Sequence, residues 1–275
     1  MFRHALTQAV SCSGVGIHSG KPCTLGFLPA PIGSGIVFVR TDLNFAEVPV
    51  VPASIASTNR ATLLKHQDVF IQTPEHVLAA CWALGLTDVR IEVSAQEMPI
   101  MDGSSDFFVK MLQEGQIKPS DRLLEEVTIN THHTLQLNGQ SLILLPDESF
   151  KLTYIADYSS TFIGLQSAHF NGKPDYFVNE LAHARTYGFK AEVEQLLKQG
   201  LALGGSLDNA LVIDETDYVQ PPRYENEIAR HKVLDMIGDL AILGKRIKGH
   251  VIGVKSGHAL NMQAVNYLDK LFWAL

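Results

Sequence analysis

Hydrophobic and polar residues change period several times along this chain, and each change marks an element. Ile36-Val37-Phe38-Val39 and Val89-Arg90-Ile91-Glu92-Val93 carry β-branched and aromatic residues in short runs, which predicts strands. A Gly-rich turn over Gly14 to Gly20 precedes another short strand, Cys23 to Phe27. At Thr73-Pro74-Glu75 the pattern turns helical: Thr73 suits an N-cap, Pro74 suits the first turn, and Gly85 ends the run. A second helix is expected near Phe107 to Leu112, after the loop Pro99 to Ser105. The polar stretch Ile117 to Glu126, with Pro119 and Ser120, predicts a linker. Beyond it lie short strands around Val127, Leu135, Leu142 and Leu152, then a helix near Tyr176 to Ala184. An amphipathic helix from Ala191 to Gln199 stops at Gly200, and a Gly-rich turn at Gly204-Gly205-Ser206 leads to a strand at Ala210 to Ile213. A long helix, Glu225 to Leu243, is closed by Gly244; a strand at Val251 to Val254 and a last helix from Ala259 follow.

The order of these elements hints at an internal repeat. Glu75-His76 sits early in a helix and is followed by a strand, a loop with Gly103 and a helix. Arg230-His231 lies in a helix and is followed by a strand, a loop with Gly257 and a helix, over nearly the same distance. The expectation is an α+β fold of two similar sheet-plus-helix domains, residues 1–120 and 121–275, with the active site between them.

Composition narrows the function. With 275 residues, 46% of them hydrophobic, the chain can bury a sizeable core. A net charge of -7 argues against duplex nucleic acid as a ligand, because phosphate contacts need a basic surface. No apolar run is long enough to span a bilayer, and the N-terminus has no signal-peptide core, so a cytoplasmic protein without an integral membrane segment is expected. Three cysteines without CxxC spacing make neither a disulfide framework nor a cysteine zinc site. Any metal would be held by histidine and carboxylate.

Such residues are available. In His231-Lys232-Val233-Leu234-Asp235 a four-residue step puts His231 and Asp235 on one helix face, within joint reach of a metal. Taken alone, such a pair is common on solvated helix faces. Joined with His76 it supplies two imidazoles and one carboxylate, the three-ligand set of catalytic zinc. Two neutral imidazoles and one carboxylate leave the site net positive, which acidifies a bound water from ~15.7 towards ~7. Glu75 is then placed to act as general base. His258, in the Gly-containing loop Lys255 to Asn261, is a candidate acid, and Asp239 would favour its charged form. Lys232 is either a surface lysine or a group that holds substrate phosphate or an oxyanion. Gly14 to Gly20 does not match GxGxxG, His132-His133 reads as structural or exposed, Met101 and Met236 read as core, and no GxSxG supports a serine hydrolase.

At these residues the chain resembles the UDP-3-O-acyl-N-acetylglucosamine deacetylase family of lipid A biosynthesis. The resemblance runs through GVGIHSG (Gly14 to Gly20), PEHVLAA (Pro74 to Ala80), PIMDGSS (Pro99 to Ser105), ARTYGF (Ala184 to Phe189), GLALGGSLDNALVID (Gly200 to Asp214), RHKVLDMIGDL (Arg230 to Leu240) and KSGHALN (Lys255 to Asn261). It implies a metal-dependent deacetylase that removes the sugar's N-acetyl group as acetate, using Zn2+ or alternatively Fe2+. It implies His76, His231 and Asp235 as metal ligands, Glu75 as general base, and His258 with Asp239 as the proton donor and its partner. It further implies Thr186 as an oxyanion-stabilising residue and Lys232 on the diphosphate side of a UDP-linked acylated amino-sugar. An insert at about 189–213 would form an apolar passage for the acyl chain, with Phe189, Val193, Leu207 and Val212 suited to its lining. A monomer is expected. Tyr187 replaces the family's usual Phe, Lys190 is a charge where an apolar residue is expected, and Asp157 to Thr161 departs from the usual pattern; these bear on acyl preference. The alternatives are a metal-dependent amidohydrolase for another acylated sugar or amide, and a non-catalytic lipid or nucleotide binder.

Overall fold

Two sheets of matching topology each carry a pair of helices. The computed structural model describes residues 2–58 and 61–274. The N-terminal part runs β1 (Phe2–Leu6), β2 (Val10–Val15), β3 (Pro22–Pro29), β4 (Ile36–Arg40), β5 (Ala46–Pro49), a small sheet of β6 (Ile55–Ser57), β7 (Leu63–His66) and β8 (Val69–Gln72), then α1 (Glu75–Ala83), β9 (Val89–Val93) and α2 (Asp106–Glu114). β10 (Ile117–Leu123) returns to pair with β1. The C-terminal part follows with β11 (Glu126–Thr128), β12 (His133–Leu137), β13 (Gln140–Leu145), β14 (Phe150–Tyr158) and β15 (Gly164–Phe170). Then come α3 (Pro174–Tyr176), a π-helical turn (Phe177–Leu181), β16 (Tyr187–Phe189), α4 (Lys190–Lys198), β17 (Leu211–Ile213), α5 (Glu227–Ala241), β18 (Arg246–Val254) and α6 (His258–Trp273).

The two main sheets have the orders β2-β3-β9-β4-β5 and β12-β13-β18-β14-β15. In each, the last strand inserts at the centre, antiparallel to the second and parallel to the third. In each, a helix precedes that strand and another follows it. The repeat read from the two histidine segments is therefore a repeat of topology. Strand alternation makes the sheets one-sided: Val89, Ile91 and Val93 are buried, while Arg90 and Glu92 between them are partly exposed and paired with each other. The helices before the central strands, α1 and α5, pack against each other and are buried almost all round, as apolar helices at the heart of a fold must be. Gly238 permits that crossing, since a Cβ there would overlap the Glu75 carbonyl.

Several local expectations are corrected. Thr73 is not an N-cap: it has φ 58, its N–H bonds the Thr62 carbonyl, and Pro74 occupies the cap position. Residues 14 and 15 continue β2, so the glycine turn begins at Gly16. The stretch from Ile117 is a strand as far as Leu123, paired from Leu6↔Ile117 to Phe2↔Leu123. Its largely exposed polar side chains hid it, because an edge ribbon needs little apolar surface. The helix expected at Tyr176 to Ala184 is one short turn running into a π turn.

Candidate metal centre and active site

α1 and α5 bring three donor groups from distant parts of the sequence to one point. His76 lies in the first turn of α1; His231 and Asp235 lie one turn apart on α5. The imidazole rings of His76 and His231 meet edge to face, centroids 5.0 Å apart. Asp235 Oδ1 is 3.3 Å from His231 Nε2 and 3.6 Å from His76 Nε2. One ligand atom from each of the three residues lies within 4.8 Å of the others, and all three residues are buried. Tetrahedral zinc with bonds of about 2.0–2.2 Å holds its ligand atoms roughly 3.3–3.6 Å apart, so the cluster fits such an ion. His231 Nδ1 faces the Ala184 carbonyl at 3.1 Å, which leaves Nε2 as the inward lone pair. Burial pushes His231 down to about 4, so the neutral, ligating imidazole prevails at neutral pH. Burial works against ionisation of Asp235, but the neighbouring imidazole and the Lys232 ammonium outweigh it and hold the carboxyl well below the usual range.

Glu75 and His258 flank the cluster. Burial raises the Glu75 carboxyl to about 7, a rise that nearby His258 and His76 restrain. Its Oε2 is buried without a hydrogen-bond partner among the described residues, which marks the place of a polar guest. His258 opens α6 immediately after Gly257, and its Nε2 stands 3.8 Å from Glu75 Oε1. Its Nδ1 lies 2.8 Å from Asp239 Oδ2. Burial disfavours the imidazolium, but the Asp239 carboxylate outweighs it and lifts His258 to about 9. Asp239 also accepts hydrogen bonds from Thr62 Oγ1 at 2.7 Å and Asn261 Nδ2 at 2.8 Å. The sequence reading missed Thr62, which no local motif marks. Asn261 ends the KSGHALN motif, one helical turn after His258, and that spacing was its signal.

These groups open into one cavity of about 580 Å3. Glu75, His76, His231, Asp235, His258, Thr186 and Lys232 all line it, and so do Phe189, Val193, Leu207 and Val212. Asp239 alone among the candidate residues does not; it stands behind His258. One arm is polar and ionisable, while the other, from Phe189 through α4 to Val212, is largely apolar. Lys232 donates to Asp235 Oδ2 at 2.8 Å, and its ammonium lies over the Tyr187 ring at 5.4 Å.

A family model described as LpxC, UDP-3-O-acyl N-acetylglycosamine deacetylase, matches residues 3–270. The chain belongs to this family. A UDP-3-O-acyl-N-acetylglucosamine deacetylase of Solibacter usitatus (strain Ellin6076) is 38% identical over 266 residues, covering 96% of this chain and 90% of that relative.

Two residues of this deacetylase-family chain that the sequence singled out, Tyr187 and Lys190, have clear partners. The Tyr187 hydroxyl pairs with the Tyr158 hydroxyl at 2.9 Å, so each phenol satisfies the other's polar atom. Lys190 does not line the cavity: its ammonium pairs with Asp214 at 2.7 Å on the surface. Among the described residues, no helix is long and apolar enough to cross a membrane.

Proposed function

We propose that this protein hydrolyses the N-acetyl group of UDP-3-O-acyl-N-acetylglucosamine, giving UDP-3-O-acyl-glucosamine and acetate, with one divalent metal held by His76, His231 and Asp235. The observation that carries the reading is the meeting of those three buried donors at the polar end of a cavity whose other arm is apolar. Zinc, or ferrous iron in its place, would act there as a Lewis acid that acidifies water and polarises the acetamide carbonyl.

The chain's own groups supply the proton transfers. Glu75, lifted towards neutrality by burial, takes a proton from the attacking water. Thr186 lines the cavity where its hydroxyl can donate to the developing oxyanion. His258, kept cationic by Asp239, gives its proton to the departing sugar amine. Lys232 sits largely buried beside the three donors, paired with Asp235, and its charge favours the substrate's diphosphate side. Phe189, Val193, Leu207 and Val212 receive the 3-O-acyl chain, whose transfer from water contributes about 0.8 kcal/mol per buried CH2. All three cysteines are unpaired, which fits a reducing compartment, and we place the reaction in the cytoplasm, carried out by a monomer.

Acetate release from the UDP-sugar with and without its 3-O-acyl chain tests the reading. Turnover confined largely to the acylated sugar supports it. Equal turnover of both, or turnover of neither, sends the site to another amide or to no reaction.

A further inference from the structure

Outside the catalytic cluster, Glu97 is a buried carboxylate with no role in the chemistry above; it is 3% exposed. Its backbone is pinned to the end of β8, where Gln72 N–H bonds the Gln96 carbonyl at 2.8 Å and Met98 N–H bonds the Gln72 carbonyl at 3.0 Å. Its side chain reaches into the glycine turn that follows β2. Oε1 accepts the His18 N–H at 2.7 Å and Oε2 accepts the Ser19 N–H at 2.8 Å. A carboxylate taking two successive backbone donors holds that turn with charge-assisted bonds. Gly16 is needed for the fit, because a Cβ there would overlap the Glu97 carboxylate.

The far side of the same turn is tied to the insert. The Ile17 carbonyl accepts the Gly204 N–H at 3.0 Å, and the His18 carbonyl accepts the Leu203 N–H at 3.1 Å. Gly204 packs so closely that a Cβ there would overlap the Gly16 carbonyl. Ile17 and His18 line the cavity from one side of this junction; Ala202, Gly205 and Leu207 line it from the other.

We propose that Glu97 is a positioning residue for acyl-chain specificity: its carboxylate holds residues 16–20 as a backbone strap that fastens the N-terminal half to the insert and fixes the width of the apolar arm. Glu97 does not itself line the cavity, so it acts through the strap. The proposal rests on the acyl-sugar reading of that cavity.

Two variants test it from opposite sides. Glu97→Gln keeps the shape but turns an amide NH2 towards one backbone N–H, and Gly204→Ala strikes the strap from the insert. Amide hydrogen exchange reads the strap directly, independent of activity. Losing such a buried bond should speed exchange about ten-fold at Leu203 in both variants, and at Gly204 in Glu97→Gln, with α5 unchanged. With the acylated UDP-sugar, KM should rise about ten-fold while kcat stays within about two-fold; KM for the sugar lacking the 3-O-acyl chain should move less than about three-fold. Unchanged exchange at Leu203 and Gly204 overturns the strap. Equal losses on both substrates overturn the specificity role. If the wild-type protein released no acetate, the functional reading would fall, and the exchange result would still decide whether Glu97 holds the strap.

Discussion

Asp239 and His258 are joined carboxylate to imidazole at 2.8 Å, and Thr62 and Asn261 occupy further acceptor positions on the same carboxylate. The aspartate is wholly buried, so its charge is balanced mainly by this histidine. His258 therefore stays cationic well above its ordinary value near 6.5, up to about 9. An acid is competent only while protonated, so activity should fall as pH rises through about 9. Asp239→Asn removes the negative charge, and the alkaline limb of the pH profile should move towards 6.5. At pH 8 the variant should lose about ten-fold or more in turnover. An alkaline limb that stays in place would assign it to another group.

Glu75 and His76 are neighbours in sequence with separable roles. Glu75→Ala and His258→Ala should each slow acetate release roughly 10²- to 10⁴-fold while bound metal stays near one ion per chain. His76→Ala should lose the metal itself, because two of three ligands remain. Metal analysis beside the rate measurement separates the cases, and loss of metal in Glu75→Ala would make that residue a ligand.

Gly238 lets α5 lie against the start of α1. A methyl group there meets the Glu75 carbonyl, which cannot swing aside as a side chain can. Gly238→Ala should cost about 1–3 kcal/mol of stability, read as a lower denaturant midpoint with unchanged slope. Because the crossing sets the distance between His76 and His231, metal affinity should fall as well. A stable variant with full metal affinity would show that the crossing is not critical.

Much of this site was legible because helical spacing places His231, Asp235 and Asp239 on one face within a few turns, and because the residues after Thr73 turn helical beside His76. The paired sheets were legible as a repeat for the same local reason. What escaped was long-range. Thr62 reaches Asp239 across 177 positions, and Glu97 reaches His18 across 79; no period in the chain encodes either contact. β15 was missed although its burial alternates strictly, since Gln166, Ala168 and Phe170 face inwards and read poorly as an apolar face. β10 was read as a linker because its pairing depends on backbone bonds to β1 rather than on apolar side chains.

The Tyr158 and Tyr187 hydroxyls pair at 2.9 Å, and both residues sit at the cavity wall. Tyr187→Phe deletes one partner of a neutral hydrogen bond and keeps the ring beside His231. The stability loss should be about 0.5–1.5 kcal/mol, and kcat should hold within about two-fold. A large fall in kcat would give the Tyr187 hydroxyl a part in the reaction.

The most direct test is a metal titration of chelator-stripped protein, following acetate release from UDP-3-O-acyl-N-acetylglucosamine. The account predicts background activity in the stripped protein and recovery that saturates at one equivalent of zinc or ferrous iron, with none in His231→Ala. Full activity in the stripped protein, or saturation that is the same after His231 is removed, would contradict it.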